Sequence, residues 1–159
     1  MRFTAWPGQN QRVETTWDGL PVAREKPRVS AVVVWRRAGE VREFLLLHRQ
    51  HHGPEYEGDW AWTSPAGARQ PGEAPSATAR RELLEEVGLE LPLTGPLAHL
   101  TDDVALFVAE APADAEIVLD AEHDRYEWVT LEEGVRRCLP AVVGKALRIA
   151  DRAAAEGVR

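Results

Sequence analysis

The segment Gly67 to Leu89, GARQPGEAPSATARRELLEEVGL, constrains this chain more than any other. It begins as a glycine-bearing turn and passes into the most clearly marked helix of the sequence. Pro75 stands at a first-turn position, where its missing N–H costs nothing, and Gly88 supplies a C-terminal stop. The spacing predicts a helix over Pro75–Val87. On it Glu82, Glu85 and Glu86 stand at i, i+3 and i+4, so three carboxylates share one face. Like charges at this spacing cost about 0.2–0.5 kcal/mol per pair in water and more once desolvated, so a fold that retains them needs cations nearby. Carboxylate oxygens with no His or Cys among them select hard ions, Mg2+ first and Mn2+ second. A glutamate-rich face beside Arg80 and Arg81 also has an ordinary reading, a solvated surface.

The residues ahead of the helix favour chemistry. From Gly67 the pattern is glycine, five residues, Glu73, seven residues, then Arg81-Glu82-Leu83-x-Glu85-Glu86-x-Gly88-Leu89, nine specified positions in all. Gly67 and Gly72 suit a loop that turns tightly and approaches a metal or phosphate, and Arg81 can hold Glu73 or a neighbouring glutamate by charge-assisted hydrogen bonds. Leu83 and Leu89 are expected to face the core.

This pattern resembles the Nudix box, the signature of hydrolases that act on a nucleoside diphosphate linked to another moiety. The resemblance implies an α+β fold, a mixed β-sheet sandwiched between α-helices. It implies metal binding by Glu82, Glu85 and Glu86, with Glu82 also available as a base, and a further ligand in the main-chain carbonyl of Ala66. The family often carries Pro-Gly-Gly where this chain reads Pro65-Ala66-Gly67, and a positive φ at 66 would strain an alanine. Many relatives add an acidic residue a few positions before a tryptophan on a late strand. Glu122, ahead of Trp128, is the looser match here, and Arg49 resembles a family arginine near substrate phosphates. The implied reaction is Mg2+-assisted attack of water on one phosphorus of a nucleoside diphosphate derivative, with Glu82, Glu86 or Glu122 as base and Arg81 beside them. Two alternatives stand beside it. One is a Nudix-fold module that binds a nucleotide or metabolite without cleaving it. The other is isomerase chemistry on a prenyl diphosphate, which depends on a cysteine and for which Cys138, expected in a C-terminal helix, is poorly placed.

Elsewhere, Val29–Trp35 and Phe44–Leu47 read as two paired strands, and 97–100, 104–109 and 127–130 as further ones. Helices are expected from about Leu131 and over Val142 to Ala155. Residues 1–28, rich in Pro and Gly, read as an arm packed on the core of a single domain spanning 1–159. His51 to Asp59 is an expected exposed loop. Tyr56 and Trp60 are candidates to stack on a nucleobase, with Trp60 and Trp62 alternating on one strand face. His48, His51 and His52 have the spacing of helix-borne metal ligands, but Gly53-Pro54 argues against a helix there.

A net charge of -7 opposes binding to nucleic-acid polymers, which depends on Lys/Arg contacts to phosphates, and favours a small substrate over a long polymer; the resemblance implies that this is a nucleoside diphosphate derivative. No stretch is long and apolar enough to span a membrane, and a single cysteine with no secretory start fits a cytoplasmic setting. A homodimer is left open.

Overall fold

The structure, a computed structural model, describes residues 15–16, 19–97 and 100–157. Most of the expected arm (1–14, 17 and 18) and residues 98 and 99 of the strand expected at 97–100 lie outside them. Around that gap, Leu97 and Leu100 are not in a strand, although the Leu97 N–H donates to the Leu106 carbonyl at 2.8 Å.

The apolar runs form the centre of a mixed sheet. β1 (Val29–Ala38) pairs antiparallel with β2 (Val41–Arg49) through Trp35–Ala38, across a turn that Gly39 closes in the left-handed region. At its other end β1 takes β4 (Ala66–Ala68) antiparallel, and its free edge takes β5 (Val104–Glu110) in parallel. β2 carries β3 (Trp62–Thr63) beside β1 and β6 (His123–Thr130) on its far edge, both antiparallel.

Period-2 alternation sends the side chains of these strands to two cores. Val32, Val34, Leu45, Leu47 and Phe107 meet Ala79, Leu83 and Val87 of α1 (Pro75–Val87). Val33, Trp35, Phe44, Leu46 and Val108 meet Val143, Ala146, Leu147 and Ala150 of α3 (Ala141–Gly157). The short α2 (Leu131–Arg137) leads into α3, its N-cap Thr130 accepting from the Glu133 N–H. The sheet is thus sandwiched between α1 and the α2–α3 pair, as expected.

α1 has the expected bounds, ending at Gly88 with φ 74° and its N–H donated to the Leu84 carbonyl. Two local expectations need correction. Trp60 and Trp62 do not alternate on one strand. Trp62 is buried in β3, but Trp60 sits in a turn at φ 67°, the left-handed region that β-carbon sterics disfavour, and donates its N–H to the Leu139 carbonyl. Cys138 does not lie within a helix: it is the buried C-cap of α2.

Candidate active site

The loop and helix of Gly67–Leu89 are organised around Glu73. Its carboxylate accepts from Arg81 through both oxygens, each at 2.9 Å, and from the Thr78 hydroxyl and the Gln70 N–H. The Arg81 hydrogen bonds hold Glu73 at about 2, well below the usual carboxylate range. Arg81 spends its remaining donors on Glu82 Oε1 at 2.7 Å and the Ala68 carbonyl at 3.0 Å, with Glu85 at 3.6 Å. The guanidinium thus orients Glu82 against a loop whose shape Glu73 sets.

Gly67 contributes differently from the turn-making role expected of it. It lies in β4 opposite Ser30, and its φ is not left-handed. What its lack of a side chain provides is room, because a Cβ there would run into the carboxyl carbon and both oxygens of Glu82, none farther than 2.5 Å. Gly72, at φ 78°, is the glycine that makes the turn. Ala66 has no positive φ, so the alanine is unstrained; its N–H donates to Glu86 Oε1 at 3.1 Å.

The three box glutamates separate by burial. Glu82 and Glu86 are each only 1% exposed, while the Glu85 side chain reaches the rim at 32%. Glu86 Oε2 is buried and accepts no hydrogen bond among the described residues. Burial raises the Glu86 pKa well above its ordinary value, with further increments from Glu82, Glu122 and Asp120. Glu122, just ahead of β6, is 7% exposed, and burial with Asp120 and Glu82 pushes it up to about 8. The looser sequence match therefore falls among the box carboxylates. Arg49, at the end of β2, joins them: burial lowers its pKa, while the charges of Glu86 and Glu122 act against that. The carboxylates lie together because the Gln50 N–H, next to Arg49, donates to the Glu122 carbonyl and so brings the start of β6 against the end of β2.

Sequence reasoning missed Asp120 and His123. Asp120 Oδ1 meets His123 Nδ1 at 2.8 Å, and ligand atoms of Asp120, Glu122 and His123 all lie within 4.8 Å of one another. Their only signal was proximity to Glu122 in the run DAEHD, which reads as an ordinary solvated stretch. The histidines that did attract attention lie elsewhere. His48 is fully buried on β2 between Asp124 Oδ1 (2.8 Å) and the Tyr56 carbonyl (2.7 Å), and His51 and His52 are exposed in a turn. Since a carbonyl only accepts, His48 Nε2 carries a hydrogen, and the ring braces the 50–59 loop.

Tyr56 folds back over that loop, its hydroxyl donated to the Asp59 carbonyl and its ring 4.5 Å from that of His52. Trp60 is half-buried and packs against the α3-side core. Burial pushes the Cys138 thiol up to about 12, which leaves it no thiolate to serve as a nucleophile near neutrality.

The donor set fits a hard divalent cation. Its oxygens come from carboxylates, two of them almost fully buried, and one oxygen of Glu86 is left without a proton donor.

Comparison with known proteins gives this geometry a family. The model of the NUDIX domain matches residues 25–148. The chain is 34% identical over 120 residues to the octanoyltransferase of Myxococcus xanthus, a match covering 69% of this chain and 32% of that protein. It is 36% identical over 103 residues to the asymmetrical bis(5'-nucleosyl)-tetraphosphatase of Rattus norvegicus, covering 57% of this chain and 66% of that one. The chain therefore spans about a third of the first relative and just under two thirds of the second. In fold it matches the C. elegans Ap4A hydrolase of a binary-complex crystal structure, with a TM-score of 0.66 and 24% identity over 80% of this chain and 97% of that one. With the NUDIX domain model covering most of its length and the box residues assembled at one end of the sheet, the chain belongs to the Nudix family.

Proposed function

We propose that this protein hydrolyses a phosphoanhydride bond of a nucleoside diphosphate derivative with the help of Mg2+. One observation carries the reading: Glu82 and Glu86, one helical turn apart, are both almost fully buried, with Glu122 close enough to feel Glu82. Burying like charges together costs several kcal/mol unless a cation or proton compensates, and a helix with no chemical duty would turn them to solvent. A divalent ion bound there would neutralise charge on the phosphate oxygens and acidify a water. Glu82, Glu85, Glu86, Glu122 and the Ala66 carbonyl are the groups to hold it.

The chain's own residues account for the rest. Arg81 fixes Glu82 in one orientation, and Gly67 lets that carboxylate lie flush against β4. Arg49, which feels the charges of Glu86 and Glu122, is the cation we assign to a substrate phosphate. A base must take the proton of the attacking water, and Glu82, Glu86 and Glu122 are the carboxylates placed for it. Tyr56 and Trp60, ahead of the box in sequence, are the candidates to stack on a nucleobase. The tetraphosphatase relatives make a dinucleoside tetraphosphate the first compound to test.

The test is product formation from a panel of nucleoside diphosphate derivatives and dinucleoside polyphosphates with Mg2+ or Mn2+, resolved by chromatography. Glu85→Gln and Glu86→Gln should each abolish turnover. Activity that survives both changes or excess chelator would remove the box from the reaction, and tight nucleotide binding without product would favour a binding module.

A further inference from the structure

We propose that His48 and Asp124 are positioning residues: their hydrogen bond locks a β-bulge in β6, and the bulge sets Glu122 beside the box carboxylates. The proposal rests on the reading above that Glu122 joins Glu82 and Glu86 in holding a divalent ion.

The bulge is visible in the register. His48 stands opposite Arg125, but Arg49 stands opposite His123, so Asp124 is one residue more than β2 has partners for. Two residues of the bulged strand then face one of its neighbour. The side chains agree. Asp124 Oδ1 lies 2.8 Å from His48 Nδ1 and Arg125 Nη1 lies 3.2 Å from the same nitrogen, so both turn to the face that His48 occupies. In a regular ladder Asp124 would instead stand opposite Arg49 and point the other way.

The bulge decides where Glu122 falls. As the strands stand, the Gln50 N–H donates to the Glu122 carbonyl and Gln50 Nε2 to that of Ala121. If Asp124 slipped into the ladder, His123 would face Gln50 and Glu122 would withdraw along the strand by one residue, about 3.3 Å. That is well beyond the 1 Å or so of misplacement that a reacting group tolerates.

Apolar packing does not hold this end of β6. Its buried apolar side chain, Val129, lies near the other end, and the run HDRY is too polar to specify a register by burial. His48 supplies the missing constraint. Its ring is fully buried, meets Trp62 edge-on at 4.8 Å and is fixed through Nε2 by the Tyr56 carbonyl, so Nδ1 points in one direction. A slipped Asp124 would leave that nitrogen sealed from water without its carboxylate, and an unsatisfied buried polar group opposes the slip.

Two measurements on the full chain, neither of which needs turnover, test the proposal. The first is amide hydrogen exchange by NMR on the metal-free protein: the Gln50 amide should lose protection in Asp124→Ala and keep it in Asp124→Asn, which retains an acceptor for His48. The second is Mn2+ binding by calorimetry, where Asp124→Ala should weaken affinity by about 10–100-fold and Asp124→Asn should stay within about threefold of wild type. In a Glu122→Gln background, Asp124→Ala should add little further loss, because it acts through Glu122. If Asp124→Ala does not fold, Asp124→Ser, too short to reach His48, takes its place. Unchanged protection of Gln50, or affinity losses that add in the double variant, overturns the proposal. A wild-type chain that binds Mn2+ yet hydrolyses no compound of the panel overturns the hydrolase reading alone.

Discussion

Replacing Gly67 by alanine should separate the chemistry of this site from its stability. The backbone at 67 is not left-handed, so alanine carries no conformational penalty there and reduces the freedom of the unfolded chain by about 0.4–1 kcal/mol. The cost comes from the new methyl group, which would lie within 2.5 Å of all three carboxyl atoms of Glu82. Non-bonded heavy atoms settle at about 3.5–4 Å, so something must move by about 1 Å or more. The flexible end of Glu82 yields more easily than β4, which is hydrogen-bonded along β1 through Val29–Ala31. Displacing Glu82 breaks its 2.7 Å bond to Arg81, a charge-assisted contact contributing about 1.5–3 kcal/mol. Net destabilisation is then about 1–2 kcal/mol. Activity should fall much further, because a 1 Å misplacement of a group in the reacting shell costs about 100-fold. Urea unfolding and kcat/KM measure the two quantities. A double-mutant cycle isolates the cause: in a Glu82→Ala background, where the carboxylate no longer occupies that space, Gly67→Ala should be nearly neutral for stability. A Gly67→Ala enzyme with kcat/KM within threefold of wild type, or the same stability loss in both backgrounds, would refute the collision.

The Glu73–Arg81 pair should leave its mark on acid stability. Glu73 has a folded-state pKa of about 2, below its unfolded value, so its contribution is present above pH 4.5 and is lost as pH falls towards 2. Glu73→Gln should therefore cost about 1–2 kcal/mol at pH 7, after allowance for solvent screening, with the gap to wild type closing in urea titrations at pH 3 and below. Arg81→Lys should lower kcat more than it raises KM in steady-state assays, because one ammonium cannot reach both Glu73 oxygens, Glu82 and the Ala68 carbonyl together.

Legibility in the sequence followed how far each segment's chemistry is local. α1 was readable to the residue because Pro75 and Gly88 punctuate it. The central strands were readable because Val29–Trp35 and Phe44–Leu47 are apolar on both faces, as strands covered by helices must be. β1 runs three residues further than its apolar stretch, through Arg36 and Arg37, whose guanidinium groups lie over the rings of Trp128 and Trp35. Such residues look solvated until their cross-strand partners are known. β6 began four residues early for the same reason: it is an edge strand, and HDRY has little apolar signal. Trp60 failed as a strand residue because tertiary contacts hold it at φ 67°, which no local pattern announces.

The site itself shows where reading stops. Within one helix, spacing fixes which carboxylates are neighbours, so Glu82, Glu85 and Glu86 could be grouped from sequence, but spacing does not say which are buried. That depends on β4 beneath the helix: Gly67 leaves the space that Glu82 fills, and the Ala66 N–H takes one oxygen of Glu86. Asp120, Glu122 and His123 reach the same place only because β6 pairs with β2 from Glu43 to Arg49, with an irregularity between His48 and Arg49. A change of one residue in that register would turn every β6 side chain to the opposite face. The apolar residues Leu45, Leu47 and Val129, which set the register by their burial, thus determine whether Glu122 meets the box, although none of them carries chemistry.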